Sequence, residues 1–137
     1  MPVTFQEFLE TKKYFPSLTV VKNLGDEIHV ISVNLRGVLG GGSAERVFYK
    51  VLIDVHSFPV DLPSVFILSP SRQQIKHIDI YDSVYCPLTQ SNLPCVSLGP
   101  LSHSWYEIPL KCRTLRAFLF AVSEILSHES CNPPTLN

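Results

Sequence analysis

Ten residues, Arg46-Val-Phe-Tyr-Lys-Val-Leu-Ile-Asp-Val55, constrain the fold more than any other stretch of this chain. Val47, Tyr49, Val51, Ile53 and Val55 fall on alternate positions. A strand turns alternate side chains to one face, so these five share a buried side while Phe48 and Leu52 partly cover the other. β-branched and aromatic residues fit such a pleated surface, which makes this the strongest strand in the protein. Leu18–Lys22 reads as an earlier strand, and Glu27–Arg36 as a second, in which Ile31, Val33 and Leu35 alternate with Ser32, Asn34 and Arg36. Ser64–Leu68 supplies a fourth. Gly25-Asp26 makes the first turn. Leu39-Gly40-Gly41-Gly42-Ser43 reads as a plain hairpin connection. A phosphate loop would need Gly-Lys-Ser/Thr, and a dinucleotide fingerprint would need a following helix; neither is present.

Helices bracket these strands. Thr4-Phe5-Gln6-Glu7 has the form of a capping box, with Glu7 reaching back to the start of the helix. A helix over about residues 4–13 is expected to place Phe5, Phe8 and Leu9 on one face, and Pro16 stops it. Leu115, Phe118, Leu119, Val122, Ile125 and Leu126 follow helical spacing, predicting an amphipathic helix from about Arg113 to His128, ended by Asn132-Pro133-Pro134. Between Ser69 and Leu110 prolines stand at 70, 87, 94, 100 and 109, and regular periodicity disappears. A long stretch without clear elements inside a domain is usually functional. The expected architecture is α+β in a single domain, residues 1–137: helix, four-stranded antiparallel meander, long irregular segment, helix.

Composition removes several function classes. With 137 residues, 45% of them hydrophobic, the chain can bury a core without disulfide staples. A net charge of −1 lacks the basic excess of a general nucleic-acid binder. No apolar run approaches the roughly 20 residues of a membrane span, and the N-terminus does not read as a signal peptide, so a cytoplasmic protein without membrane partners is expected. In that compartment Cys86, Cys95, Cys112 and Cys131 are expected to be free thiols, most of them small core residues. A zinc set drawn from Cys86, Cys95, His77 and His103 would have no short ligand pair to anchor it.

The element order and several strings resemble the ubiquitin-conjugating enzyme family. That family has a Tyr-Pro-x-x-Pro turn between its third and fourth strands, and Phe58-Pro59-Val60-Asp61-Leu62-Pro63 stands there with one extra residue. Its catalytic cysteine lies in an apolar-Cys-Leu tripeptide eight residues before a tryptophan. Counting back eight from Trp105, the only tryptophan, gives Ser97 within Val96-Ser97-Leu98. Cys95 lies ten residues before Trp105 and Cys86 nineteen before it, in contexts that fit less well. The His-Pro-Asn motif is absent; Pro87, Leu88 and Thr89 stand near its place. The resemblance therefore covers nearly the whole chain in element order, while its motifs are degenerate.

What the resemblance implies is an acyl carrier of the conjugating-transferase type. It would accept the C-terminus of a ubiquitin-like protein from an activating-type enzyme and pass it to an amine of a protein target, with no cofactor. Ser97 would carry the acyl group as an oxyester, either natively, as in divergent bacterial ubiquitination-like pathways, or as a Cys-to-Ser replacement. Cys95 is the rival acceptor. Serine needs a base or a well-placed donor, for which His103 and His77 are the candidates, while Asn92, His77 or His103 would replace the missing asparagine at the oxyanion. Trp105 and Leu98 would line the substrate side, and Phe5, Phe8 and the first strands would face the activating enzyme. A second resemblance competes. Lys76-His77-Ile78-Asp79 and Val84-Tyr85-Cys86-Pro87-Leu88 resemble the catalytically inactive conjugating variants, which only bind ubiquitin or peptides.

Overall fold

The computed structural model describes residues 2–129, so Cys131 and the Asn132-Pro133-Pro134 stop lie outside the described residues. In chain order the elements are β1 (Val3–Thr4), α1 (Phe5–Lys12), β2 (Thr19–Leu24), β3 (Glu27–Gly40), β4 (Ser43–Asp54), β5 (Val65–Ser69), β6 (Ile80–Cys86), β7 (Ser91–Val96), α2 (Gly99–Trp105), a 3-10 turn (Leu110–Cys112) and α3 (Leu115–Ser127). The α+β class is as expected, but the sheet has seven strands rather than four. Its order is β1-β3-β4-β5-β7-β6, with β2 paired to β3, and the strand pairs are antiparallel.

Register follows the alternation of β4. Val51 stands between Val33 and Ile67, and Ile53 between Ile31 and Val65, all buried under the helices. α3 closes this core with Leu115, Phe118, Leu119, Val122 and Leu126. It comes so close to β3 that Gly37 has no room for a side chain: a Cβ there would lie 2.7 Å from the Leu126 carbonyl oxygen. The opposite face of the sheet carries a second, smaller core of Val30, Leu52, Phe66, Cys86 and Cys95, onto which Val84, Leu88 and Leu93 pack.

The segment Ser69–Leu110 is therefore not irregular. It holds the β6–β7 hairpin and α2, and Cys95 opposite Phe66 joins the hairpin to the main sheet. Pro94 lies in β7 where the pairing shifts register between Tyr81 and Val84, the kind of place at which a strand tolerates a residue without an N–H. That proline and the polar Asp82-Ser83 in β6 interrupt the alternation that would have announced two strands.

Only half of the capping box forms. Thr4 Oγ1 accepts from the Glu7 amide at 3.2 Å, but the Glu7 carboxylate turns away and accepts from the Leu115 amide at 2.8 Å. Leu115 opens α3, whose first amides lack partners within the helix and favour negative charge. Thr114 Oγ1 meets the Ala117 amide at 3.1 Å, so α1 and Thr114 together cap α3. Leu9, expected on one face with Phe5 and Phe8, is 58% exposed, while Phe8 is buried and Phe5 partly so. α1 packs against α3, β1 and β3, and Phe8 and Thr11 are the residues it buries. Replacing Glu7 by Ala is expected to lower unfolding stability by about 1–2 kcal/mol in urea titrations, through the lost cap of α3.

Candidate functional site

β7 and α2 position Ser97. Val96 pairs with Ile80 and enters the helix-side core, while Cys95 pairs with Tyr81 and enters the outer one. Ser97 follows on the side of Tyr81. Its amide donates to the Asp79 carbonyl at 2.7 Å, and its half-buried hydroxyl meets the Tyr81 hydroxyl at 3.5 Å, too long for a strong bond. Tyr81 is 59% exposed, so the hydroxyl pair opens to water.

Neither histidine is hydrogen-bonded to Ser97. His103, on α2, is solvent-exposed and lies 3.7 Å from Glu107. His77 is buried; its Nδ1 accepts from the Asp79 amide at 3.1 Å and lies 3.8 Å from the Asp79 carboxylate. That bond assigns the proton of the neutral ring to Nε2, which is buried and has no hydrogen-bond partner. Asn92 is exposed on β7 opposite Tyr85. Five steps of largely extended chain, about 16 Å, separate it from Ser97.

Cys86 and Cys95 belong to packing. Cys86 and Cys95 are buried in the outer core. Burial pushes the Cys95 thiol up, neighbouring Cys86 adds to this, and a hydrogen bond from the Val65 backbone offsets it only in part. A raised thiol is the reverse of an activated nucleophile. Cys112 is exposed in the 3-10 turn. Trp105 is a core residue, with ring centres 5.9 Å from Phe58 and 5.8 Å from Phe118, and its Nε1 is buried without a partner. Leu98 packs partly against the same core, and its carbonyl accepts the Leu101 and Ser102 amides that open α2. The candidates thus separate: Ser97 stands beside Tyr81, while His103, His77, Asn92, Cys95 and Trp105 serve other surroundings.

The residue pattern did not announce a groove of about 1070 Å³ between α1 and the segment 109–116. Tyr14, Leu110, Lys13, Lys111 and Arg116 line it, with Glu10 on the same rim. Arg113 also lines it, donating through Nε to the Ile108 carbonyl at 3.0 Å and through Nη2 to the Tyr106 carbonyl at 3.1 Å. Arg116 stacks over the Tyr14 ring at 4.8 Å. The one signal that could have pointed here is the spacing of Lys111, Arg113 and Arg116 across the start of the last helix.

Among the described residues no group of three or more His, Cys, Asp or Glu side chains is placed to hold a metal ion, and no helix is long and apolar enough to cross a membrane. Comparison with protein-family models, curated proteins and solved structures found no match.

Proposed function

We propose that this chain is a protein-binding module with the ubiquitin-conjugating type of arrangement, acting without acyl transfer. The observation that carries this reading is the groove between α1 and residues 109–116, ready-made and rimmed by Lys13, Lys111 and Arg116. Exposed Tyr14 and Leu110 give it apolar anchors, and the cations outnumber Glu10 once Glu7 is engaged by Leu115 and Arg113 by backbone carbonyls. The occupant it fits is a partner segment that mixes acidic with large apolar residues. The element order supports the architecture: a first helix, β2, β3 and β4 each paired with its successor, then, after the β6–β7 hairpin, the Ser97–Trp105 segment and a last helix.

Anisotropy titrations with labelled peptides alternating Glu with Leu or Phe, and with ubiquitin, test the groove. Binding weakened roughly tenfold or more by Lys111→Glu with Arg116→Glu is expected, since reversed charges at a contact repel the same partner. Binding that ignores this pair of changes would place the interaction elsewhere.

A second reading keeps Ser97 as acyl acceptor. It is favoured by the half-exposed position of the Ser97 hydroxyl between β7 and α2, with the Tyr81 phenol as its hydrogen-bond partner. In that reading the Tyr81 phenol relays the serine proton, accepting it from Ser97 as its own passes to the water it faces, when an acyl carbonyl is attacked.

A further inference from the structure

The tip of the β3–β4 hairpin is more than a connection. Gly40, Gly41 and Gly42 all take left-handed backbone, with φ of +94°, +67° and +85°. The Gly41–Gly42 turn presents both its amides to one acceptor, as do the concave backbone nests that bind anions. The Gly41 and Gly42 amides donate to the carboxylate of Glu129 at 3.2 and 3.4 Å, and the Ile78 amide donates to it at 3.0 Å. Three amides from two segments far apart in sequence thus converge on one carboxylate. The segments are locked together: the Lys76 amide donates to the Leu39 carbonyl at 2.8 Å, and Gly40 bridges Lys76 in parallel.

We infer that the Gly41, Gly42 and Ile78 amides form a carboxylate receptor whose resident ligand is the chain's own Glu129, latching the end of α3 to the sheet. α3 ends at His128 in extended backbone, so the chain arrives at the receptor directly after its last turn. Ser127, whose hydroxyl donates to the Arg36 carbonyl at 3.3 Å, and the close approach of Gly37 to Leu126 guide it there. The titratable and charged groups around the carboxylate are His77, Lys76, Tyr49, Asp79, Glu124 and His128. Burial would raise the Glu129 carboxyl, but the bonds from Gly41, Ile78 and Gly42, with His77 nearby, outweigh it and hold the group below its ordinary value. Because the folded value is lowered, the latch is fully made above the ordinary carboxylate range and is lost as pH falls through the lowered value. Tyr49, whose hydroxyl bonds the Val38 carbonyl, is pushed up to about 12 by burial and then by this same carboxylate.

Amide NMR and hydrogen exchange test the receptor. In the unaltered protein the Gly41, Gly42 and Ile78 amide shifts are expected to titrate together, with one midpoint below that of ordinary glutamate. Glu129→Gln is expected to speed their exchange roughly tenfold or more, the factor for losing bonds to a charged acceptor, while Val51 and Ile53 in β4 serve as controls. In Glu129→Ala, added formate is expected to return the three amide shifts towards their original positions. Unchanged exchange in Glu129→Gln, no recovery with formate, or three unrelated midpoints in the unaltered protein would each overturn the proposal.

Discussion

Gly40→Ala is expected to be the most damaging glycine-to-alanine change in this protein. A Cβ at position 40 would lie 2.4 Å from His77 Cα, 2.5 Å from the His77 nitrogen and 2.6 Å from the Lys76 carbonyl carbon. These are backbone atoms and cannot swing aside as a side-chain tip would. Overpacking of this kind costs about 1–3 kcal/mol, and a φ of +94° adds strain of about 1–3 kcal/mol for a residue with a Cβ. Gly42→Ala separates the two contributions, because it shares the left-handed backbone but would meet nothing within 4 Å. Urea unfolding should show Gly42→Ala losing only the strain and Gly40→Ala losing both. Equal losses would mean that the hairpin tip does not press on residues 76–77.

Trp105→Ala should cost about 3–5 kcal/mol, the range for emptying a large aromatic site. The indole is 1% exposed and wedged between Phe58 and Phe118, so the cavity would open where α2 meets α3 and the turn after β4. Trp105→Phe should cost far less than Ala. Part of the lost ring contact is offset, since the buried Nε1–H that has no partner disappears with it. Circular dichroism through a urea series measures both variants. A tolerated Trp105→Ala would return Trp105 to the role of a site residue.

How far the residues foretell the structure differs from one element to the next. Along β4 and α3 the apolar period and the burial coincide, because Tyr49, Val51 and Ile53 and one face of α3 enter the helix-side core; Leu52 alone departs, buried in the outer one. In β6 and β7 the signal is divided: the hairpin feeds Ile80 and Val96 to the helix-side core and Cys86 and Cys95 to the outer one, with a register shift and Pro94 between. No single alternation survives that. Glu7 shows a different limit. Its spacing from Thr4 spells a local cap, yet the Leu115 amide outcompetes the start of its own helix, and a tertiary partner 108 positions away is invisible to local spacing. The candidate site was legible only as a position. Ser97 lies on a reachable turn, but the histidines sought as its base are held by Asp79 in one case and stand beside Glu107 in solvent in the other. The groove required α1 and residues 109–116 to be side by side, which only the folded chain brings about.

The most direct measurement is intact-mass analysis after incubating the chain with a ubiquitin-activating enzyme, ATP and ubiquitin, repeated with a bacterial activating enzyme and its ubiquitin-like partner. A binding module without acyl transfer predicts an unchanged mass in both mixtures, alongside peptide binding that Lys111→Glu with Arg116→Glu removes. A mass increase of one ubiquitin-like protein that resists thiols, yields to hydroxylamine and vanishes in Ser97→Ala would contradict it and make Ser97 the acceptor.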